Sequence, residues 1–571
     1  MAAHPRTADL AQRSSREYEQ QAQLSQGLQP ATQWHFISAQ PTSKLEESRN
    51  KAFVRAHVSR RSWAQAITKS EQQQTSYQSH APETDRIAVD LNGAANLQHQ
   101  ERLRRSSRPR RPHTPPPIFS AISAANFSLD PFETYPSNLP HQFIDRLMPS
   151  IINQTGRLLP PLRPKDRNER WGVFTASWIR AAIHDRAMFH TALFASLLNS
   201  RLLETHSAPT REELLCYQIS LQEISRMLQD TKLATSDEAV QTVCCMAFHG
   251  DVVVRRLRKS PRQGPFQTLQ MLVSYGGTVS SSTSHFRAMV SMLEAKGGIG
   301  KLKIDGLPQI VCYLDIMCAN REMARPVFPF VSRFGSPADE LLRVAAACPS
   351  LPVLGTGFSD LERVLDAEQV APLSKVLRYM SAYTLALESF AVDVQHLLTL
   401  GLLADLRNFV QHSLLSLTPR RSSNSDKVPP LFEMCHTVAI VYSWIVIFPA
   451  PVQAMPFHEA AMRIRELLDS DQVDSYWTEV PWLMIWIVVM CAIASLGSCQ
   501  EQGYVRFLSR ALQRLNIHSW TVLKGRLEMF LWYSRASDLD GLDLWQEVVQ
   551  SRVDVRMRLM SKNSCKSVRI G

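Results

Sequence analysis

The glycine-rich stretch KGGIGKL, residues 296–302, comes nearest to a phosphate-binding loop in this sequence. Such a loop needs a glycine, four further residues and then Gly-Lys-Ser/Thr, because the hydroxyl binds the magnesium ion. Here Ala295 occupies the first glycine position and Leu302 the hydroxyl position. A second stretch, GTGFSD at residues 355–360, lacks the third glycine of a dinucleotide loop and follows no predicted strand. Both stretches are interpreted as helix caps and turns.

Other catalytic motifs of fixed spacing are also absent from the sequence. It contains no Gly-x-Ser-x-Gly elbow and no His-Glu-x-x-His pair. We predict that the scattered histidines lie on helix surfaces or in the core with their hydrogen bonds satisfied; they include His57, His184, His190, His249 and His285. No catalytic residue and no cofactor are expected, and the protein is predicted not to be an enzyme.

The ten cysteines all follow residue 215. They are Cys216, Cys244, Cys245, Cys312, Cys318, Cys348, Cys435, Cys491, Cys499 and Cys565. No Cys-x-x-Cys occurs, and no spacing indicates a zinc site or a disulfide framework, so core thiols and no bound metal are predicted. The first residues contain no apolar run of signal-peptide length. A reducing intracellular compartment is therefore expected.

The stretch ERLRRSSRPRRPHTPPP, residues 101–117, concentrates positive charge. Its arginines are Arg102, Arg104, Arg105, Arg108, Arg110 and Arg111, and one acidic residue accompanies them. The prolines keep such a segment extended, so it fits the acidic groove of a nuclear import receptor or a phosphate backbone. The alternative is a solvated linker. A membrane is disfavoured, because no apolar face accompanies the charge.

Charge and composition divide the chain near residue 118. Residues 1–118 contain 17 Lys and Arg against 10 Asp and Glu, which is most of the net charge of +11. This part is rich in Gln and Ser and short of apolar runs, so it is predicted to be a largely disordered basic arm. Residues 119–571 are predicted to form one large helical domain.

Within the arm, residues 43–64 are predicted to form a short basic helix. Ser43 and Glu46 have the spacing of a capping box at its start. Its cationic residues are candidates for phosphate contacts: Arg49, Lys51, Arg55, Arg60 and Arg61. The alternative is that this helix docks on the main domain.

The rest of the sequence has the hydrophobic period of helices. Residues 171–183, 186–204 and 211–229 carry apolar side chains at i, i+3, i+4 and i+7. Ser236 is predicted to cap a further helix, and the pair Gly297-Gly298 to end another. No period-2 strand pattern is convincing, and residues 417–430 read as a surface loop. The predicted fold class is all-α.

Two apolar runs and the C-terminal region remain to be assigned. The run 482–494 is shorter than a membrane span and lacks flanking cations, so a core helix is predicted. A second run, 438–448, is interrupted by Ser443. SWTVLKGRLEMFLW, starting at Ser519, is predicted to be a core-facing helix. The acidic and aromatic segment 534–549 is interpreted as a loop plus a terminal helix, with an activation segment as the alternative.

With these segments located, the sequence resembles the fungal-specific transcription factor domain family over about residues 34–550. Its entry motif is similar to residues 34–63, and LDPFETYP (129–136) is similar to its Asp-Pro-Phe signature. HFRAMVSMLEAKGGIGKL and the following helix resemble its glycine-containing helix pair, with Asp315 and Arg325-Pro326. WLMIWIVVMCAIAS and the segment after Ser519 resemble its last helices. The ordered set of five motifs carries the resemblance.

The resemblance implies a nuclear transcriptional regulator with a helical regulatory domain. Members of this group usually carry a six-cysteine zinc cluster that reads DNA, but no cysteine precedes Cys216 here, so no DNA-contact residues can be transferred. We expect the protein to be recruited through DNA-binding transcription factors or as a homodimer. Its own DNA contact is expected to be weak and non-specific at most, and its expected target is a metabolic gene cluster. The alternative is a cytoplasmic helical scaffold or ligand-sensing protein.

Zinc content tests the absence of a cysteine cluster. The purified protein should contain well below one zinc ion per chain, because the cysteines are spread over some 350 residues of helical pattern. Elemental analysis after dialysis measures this ratio. Two zinc ions per chain would contradict the prediction.

Overall fold

The computed structural model describes residues 135–158, 173–204, 208–249, 282–346, 351–392, 398–419, 428–449 and 455–567. Within these ranges all regular secondary structure is helical and no strand occurs. The predicted all-α fold class is confirmed. The basic arm 1–118 and the predicted helix at 43–64 lie outside the described ranges, as do all residues assigned to them.

The first half of the described chain contains helices α1 to α9. In chain order they are α1 His141–Leu158, α2 Val173–His184, α3 Arg186–Glu204, α4 Arg211–Gln229, α5 Thr231–Ala234, α6 Asp237–Phe248, α7 Thr283–Lys296, α8 Leu307–Glu322 and α9 Pro337–Ala346. The predicted helices at 171–183, 186–204 and 211–229 correspond to α2, α3 and α4.

The second half contains helices α10 to α18. They are α10 Ala367–Ala391, α11 Leu400–Leu415, α12 Pro430–Tyr442, α13 Phe457–Leu468, α14 Tyr476–Glu479, α15 Pro481–Ala494, α16 Glu501–Arg514, α17 Trp520–Leu527 and α18 Ser534–Ser567. A π-helical turn, Ser443–Ile447, continues α12, and a 3₁₀ helix at Thr356–Arg363 precedes α10.

A buried ion pair joins the antiparallel helices α3 and α4. Arg201 donates from Nε and Nη2 to the two carboxylate oxygens of Glu213, at 2.7 and 3.0 Å. Both side chains are almost fully buried. Because each would otherwise be a buried unpaired charge, the pair fixes how these two helices meet.

The glycine-rich stretches have the structural roles predicted for them. Gly297 ends α7 in the left-handed conformation, at φ 93°, where its amide donates to Leu293 O and Glu294 O. Gly298 then precedes a 3₁₀ turn at Ile299–Lys301. Gly355 likewise precedes the 3₁₀ helix at Thr356–Arg363. Ser236 caps α6, with its Oγ accepting from the Ala239 amide at 3.1 Å.

Helix α15 lies at the centre of the C-terminal half. Every residue from Leu483 to Ala494 is at most 2% exposed. The helix packs against α12, α13, α16, α17 and α18 and the 3₁₀ helix at Thr356–Arg363. The Trp486 indole N–H is satisfied by donating to Leu531 O at 2.9 Å. The predicted core helix at 482–494 is therefore confirmed.

One described stretch, Pro430–Ile447, is long and apolar enough to cross a membrane, and 89% of it is buried inside the fold. The segments Asp471–Glu479 and Pro481–Ala494 pass the same test only as a pair, and they are bent by 119° at their junction. Burial against other helices makes Pro430–Ile447 and Pro481–Ala494 core elements of this fold, whereas most residues of Asp471–Glu479 are exposed.

The C-terminal region differs from its prediction in two respects. The helix that begins at Trp520 ends at Leu527, and Phe530, Leu531 and Trp532 enter the core from irregular chain. The predicted loop before the terminal helix is wrong, because α18 begins at Ser534 and runs through Gly541. A β-carbon at Gly541 would lie 2.6 Å from the Trp520 ring and 2.7 Å from the Trp532 ring. This glycine therefore serves packing within a helix and not a turn.

Introducing a charge into α15 tests its burial. Val488→Asp, or Ile487→Asp, should lower the free energy of unfolding by about 4 kcal/mol or more, because each places an unpaired carboxylate at a position with no exposed surface. Urea unfolding followed by circular dichroism measures the change.

The matched control is Val522→Asp, the same substitution at a side chain that is 54% exposed. It should change stability by less than about 1 kcal/mol. Equal losses in both variants, or wild-type protein that pellets with membranes and resists carbonate extraction, would contradict the assignment of α15 as a core helix.

Candidate functional site

All the site residues predicted from the sequence lie outside the residues that the structure describes. They are the import patch, Arg102 to Arg111, and the candidate phosphate contacts at 49–61. Among the described residues, no group of three or more His, Cys, Asp or Glu side chains is arranged to hold a metal ion. The described histidines at 190 and 249 are buried and bond to the backbone carbonyls of Arg186 and Cys245.

A buried polar assembly lies where α8, α11 and the π turn after α12 meet. We call Asn320, Gln411, Ser443 and Trp444 the polar centre; all four are buried. Asn320 Oδ1 accepts from Gln411 Nε2 at 2.6 Å and from Trp444 Nε1 at 2.7 Å. Ser443 Oγ donates to Gln411 Oε1. One amide oxygen thus links three helical segments that are far apart in sequence.

The π-helical turn delivers two members of the polar centre. Within Ser443–Ile447 the backbone widens, so that Phe448 N donates to Ser443 O at 2.7 Å, five residues earlier. If the same residues formed a regular α-helix, the residues that follow would be displaced around the helix axis by one residue position, about 100°. Single π turns are frequent at functional sites, and here the turn places both Ser443 and Trp444 on the polar centre.

Arg407 lies beside this assembly with 1% of its surface exposed. Its Nε and Nη2 donate to Asn408 Oδ1 at 3.1 and 2.7 Å. The guanidinium carbon lies 4.8 Å from the ring centre of Phe448 and 5.6 Å from that of Tyr313. Burial lowers the pKa of Arg407, but aromatic faces and the amide oxygen stabilise its charge.

Two buried carboxylates hold the chain segment between α8 and α9, residues 327–334, which we call the strap. Asp315 accepts from the amides of Val327 and Phe328, at 3.1 and 2.8 Å. Asp405 accepts from Ser332 Oγ at 2.7 Å. Burial raises the pKa of each carboxyl to about 6, although the hydrogen bonds that both accept oppose this shift.

Two histidines on α11 and α12 bind backbone carbonyls in the same region. His412 Nε2 donates to Phe328 O in the strap at 2.8 Å, and His436 Nε2 donates to Leu414 O at 2.9 Å. Burial lowers the pKa of His436 to about 4. Each is therefore a neutral structural hydrogen-bond donor at neutral pH.

A small notch, partly open to solvent and with room for about one water molecule, lies at the outer end of this junction. It is lined by Met323, Thr418, Pro419, Phe432, Glu433, His436, Thr437, Ile440 and Arg463. Arg463 donates to Glu433 at its rim. The buried Thr418 Oγ1 has no hydrogen-bond partner among the described residues. The notch offers hydrogen bonds to a small polar molecule, and its histidine Nε2 is already engaged.

The polar centre was missed because each member looks like an isolated exception in an apolar helix. Ser443 was such an exception, since it interrupts the apolar run 438–448. Asp405 and Arg407 likewise stand among leucines in LLADLRNFV. Several buried polar residues in otherwise apolar helices are a usable signal, because each requires a partner.

Comparisons of this chain with models of known protein families, with curated proteins and with solved structures found no match.

The buried carboxylates predict a pH-dependent effect of Asp405→Asn. A carboxyl whose pKa is about 6 in the folded chain and about 3.9 in the unfolded chain stabilises the fold below pH 3.9 and loses that contribution as pH rises through 6. The stability of wild type relative to Asp405→Asn should therefore fall by roughly 2 kcal/mol between pH 4 and 7.5. Urea unfolding at both pH values measures it.

The control is Asp474→Asn, at an exposed position. Its stability difference from wild type should stay nearly constant, because an exposed side chain meets similar solvent in both states. A constant difference for Asp405→Asn as well would show that burial does not perturb this carboxyl.

Proposed function

We propose that this protein is a nuclear transcriptional regulator that acts through its helical domain and is recruited to genes through partners. The observation that carries the proposal is the ordered set of five sequence motifs resembling the fungal-specific transcription factor domain. An all-helical fold over the described part of residues 119–571 is what that resemblance implies.

The motif residues that fall in described regions have structural roles that support a shared architecture. The glycine pair of the helix-pair motif ends α7. Asp315 of the same motif holds the strap directly after Arg325-Pro326 through two backbone amides. Tyr135, in the Asp-Pro-Phe segment, is buried and stacks on Phe189 at 5.4 Å. These two motifs thus supply contacts that join elements of the fold.

In this proposal the basic arm directs the protein to the nucleus, and the helical domain binds the partner that selects the gene. The arginines at 102–111 bind a nuclear import receptor and hold the protein near DNA. Phosphate contact alone carries no base information, and non-specific binding has dissociation constants of about 10⁻⁴ to 10⁻⁶ M. Choice of gene, a metabolic cluster in this proposal, therefore belongs to a DNA-binding partner or a second copy of the chain.

The second candidate is a cytoplasmic ligand-sensing protein, and the notch at His436 favours it. Its lining combines an ion pair, a buried hydroxyl without a partner and apolar walls. Such a mixture is typical of small-molecule sites, but those usually enclose about 300–1,000 Å³, whereas this notch has room for about one water molecule.

Cellular location separates the two candidates. Replacing Arg104, Arg105, Arg110 and Arg111 with Ala should move a fluorescent fusion from the nucleus to the cytoplasm and abolish its effect on transcript levels. A foreign import signal fused to this variant should restore most of that effect, because the arm's main role is delivery.

The matched control replaces four other arginines of the arm, Arg6, Arg13, Arg16 and Arg86, and should remain nuclear. A quadruple variant that stays nuclear and active would reduce the arm to a linker. A wild-type fusion that is cytoplasmic, with no transcript changes on deletion, would favour the ligand-sensing protein.

A further inference from the structure

Helix α16 carries a line of three arginines on its outer face. Its inner face is buried through Tyr504, Leu508 and Leu512. Arg506, Arg510 and Arg514 follow one another at intervals of four residues, and all three are exposed. They form a line with about 6 Å of helix rise between successive members. We call these three residues the arginine stripe.

Among the described residues, the stripe has none of the acidic partners that several other arginines of the fold have. Exposed arginines on three other helical segments pair with an acid three residues away: Arg226 with Glu223, Arg343 with Glu340 and Arg363 with Asp360. Arg506, Arg510 and Arg514 form no ion pair with described residues. Like charges at i and i+4 destabilise a helix by about 0.2–0.5 kcal/mol per pair. Repulsion among the three arginines thus destabilises the helix by itself, and the same positive charge favours the binding of a polyanion.

More positive charge follows in the sequence of the helix that packs on α16. Helix α18 packs on α16, and Arg552 on α18 donates to Ser509 O at 3.3 Å. The α18 backbone continues to Ser567. From residue 551 to the end, the sequence has six Lys and Arg and one acidic residue. A second basic stretch therefore begins beside the stripe.

We propose that the arginine stripe binds the phosphate backbone of nucleic acid, without sequence selectivity. Arginine binds phosphate through two parallel N–H groups, and a row of such groups matches a linear polyanion. The other exposed side chains of α16 include Gln502 and Gln513 and no large apolar group, so the face is unsuited to insertion into a lipid surface. The stripe deepens the proposed nuclear function, on which its biological use rests: it gives the helical domain a DNA contact separate from the arm.

The salt dependence of DNA binding tests the stripe. Full-length protein is titrated into a fluorescent 30-base-pair duplex at several salt concentrations, and binding is followed by anisotropy. Each phosphate contact contributes about 0.9 to the slope of log K against log salt. Arg506→Gln, Arg510→Gln and Arg514→Gln together should reduce this slope by about 2.7.

The matched control replaces Arg226, Arg343 and Arg363 with Gln, which removes the same charge from exposed positions. It should retain the wild-type slope, and both variants should unfold at the wild-type temperature. An unchanged slope in the stripe variant, or no DNA binding by wild type, overturns the proposal. So does a stripe variant that loses binding to phosphatidylserine vesicles or to a polyglutamate peptide while its DNA binding is unchanged.

Failure of the stripe proposal can be distinguished from failure of the proposed nuclear function. A nuclear, active regulator whose stripe variant keeps the DNA slope overturns only the stripe. A cytoplasmic protein with stripe-dependent DNA binding overturns only the nuclear function.

Discussion

The enclosure of helix α15 constrains the whole C-terminal half of this fold. Helices usually bury one face and expose the other, but Leu483–Ala494 has no polar face to expose. Neighbours must therefore cover it on all sides, and α12, α13, α16, α17 and α18 do so. The irregular segment after α17 also has a defined role, because Leu531 O accepts the only side-chain hydrogen bond that Trp486 can donate.

Apolar enclosure alone does not specify one packing, since hydrophobic contact is not directional. The hydrogen bonds of the polar centre are directional and specify how the helices pack. Asn320 Oδ1 accepts from both Gln411 and Trp444, so α8, α11 and the π turn have to meet in one register to satisfy these groups. The carboxylates of Asp315 and Asp405 do the same for the strap. Buried polar groups cost free energy when they are left unpaired, which makes alternative packings unfavourable.

Local signals account for what could be predicted from the sequence. The apolar period located α2, α3 and α4, and single residues such as Ser236 and Gly297 located helix ends, because capping involves only neighbouring groups. The wrong predictions at the C terminus arise instead from contacts that form only in the folded chain. Asp540-Gly541 reads locally as a turn, but two tryptophan rings require the glycine inside a helix. The polar centre and the arginine stripe depend on which residues meet or remain uncovered after folding, and local periodicity does not contain that information.

The π turn determines which changes in chain length the fold tolerates. Residues before Ser443 and after Ile447 are both buried, so neither side is free to rotate. Deleting one residue from α12 before the turn would rotate the following chain by about 100°, which would remove Trp444 from Asn320 or Phe448 from Arg407. In homologous chains, insertions and deletions should therefore be found outside 430–448, for example within 420–427, and this stretch should have constant length even where its residues differ.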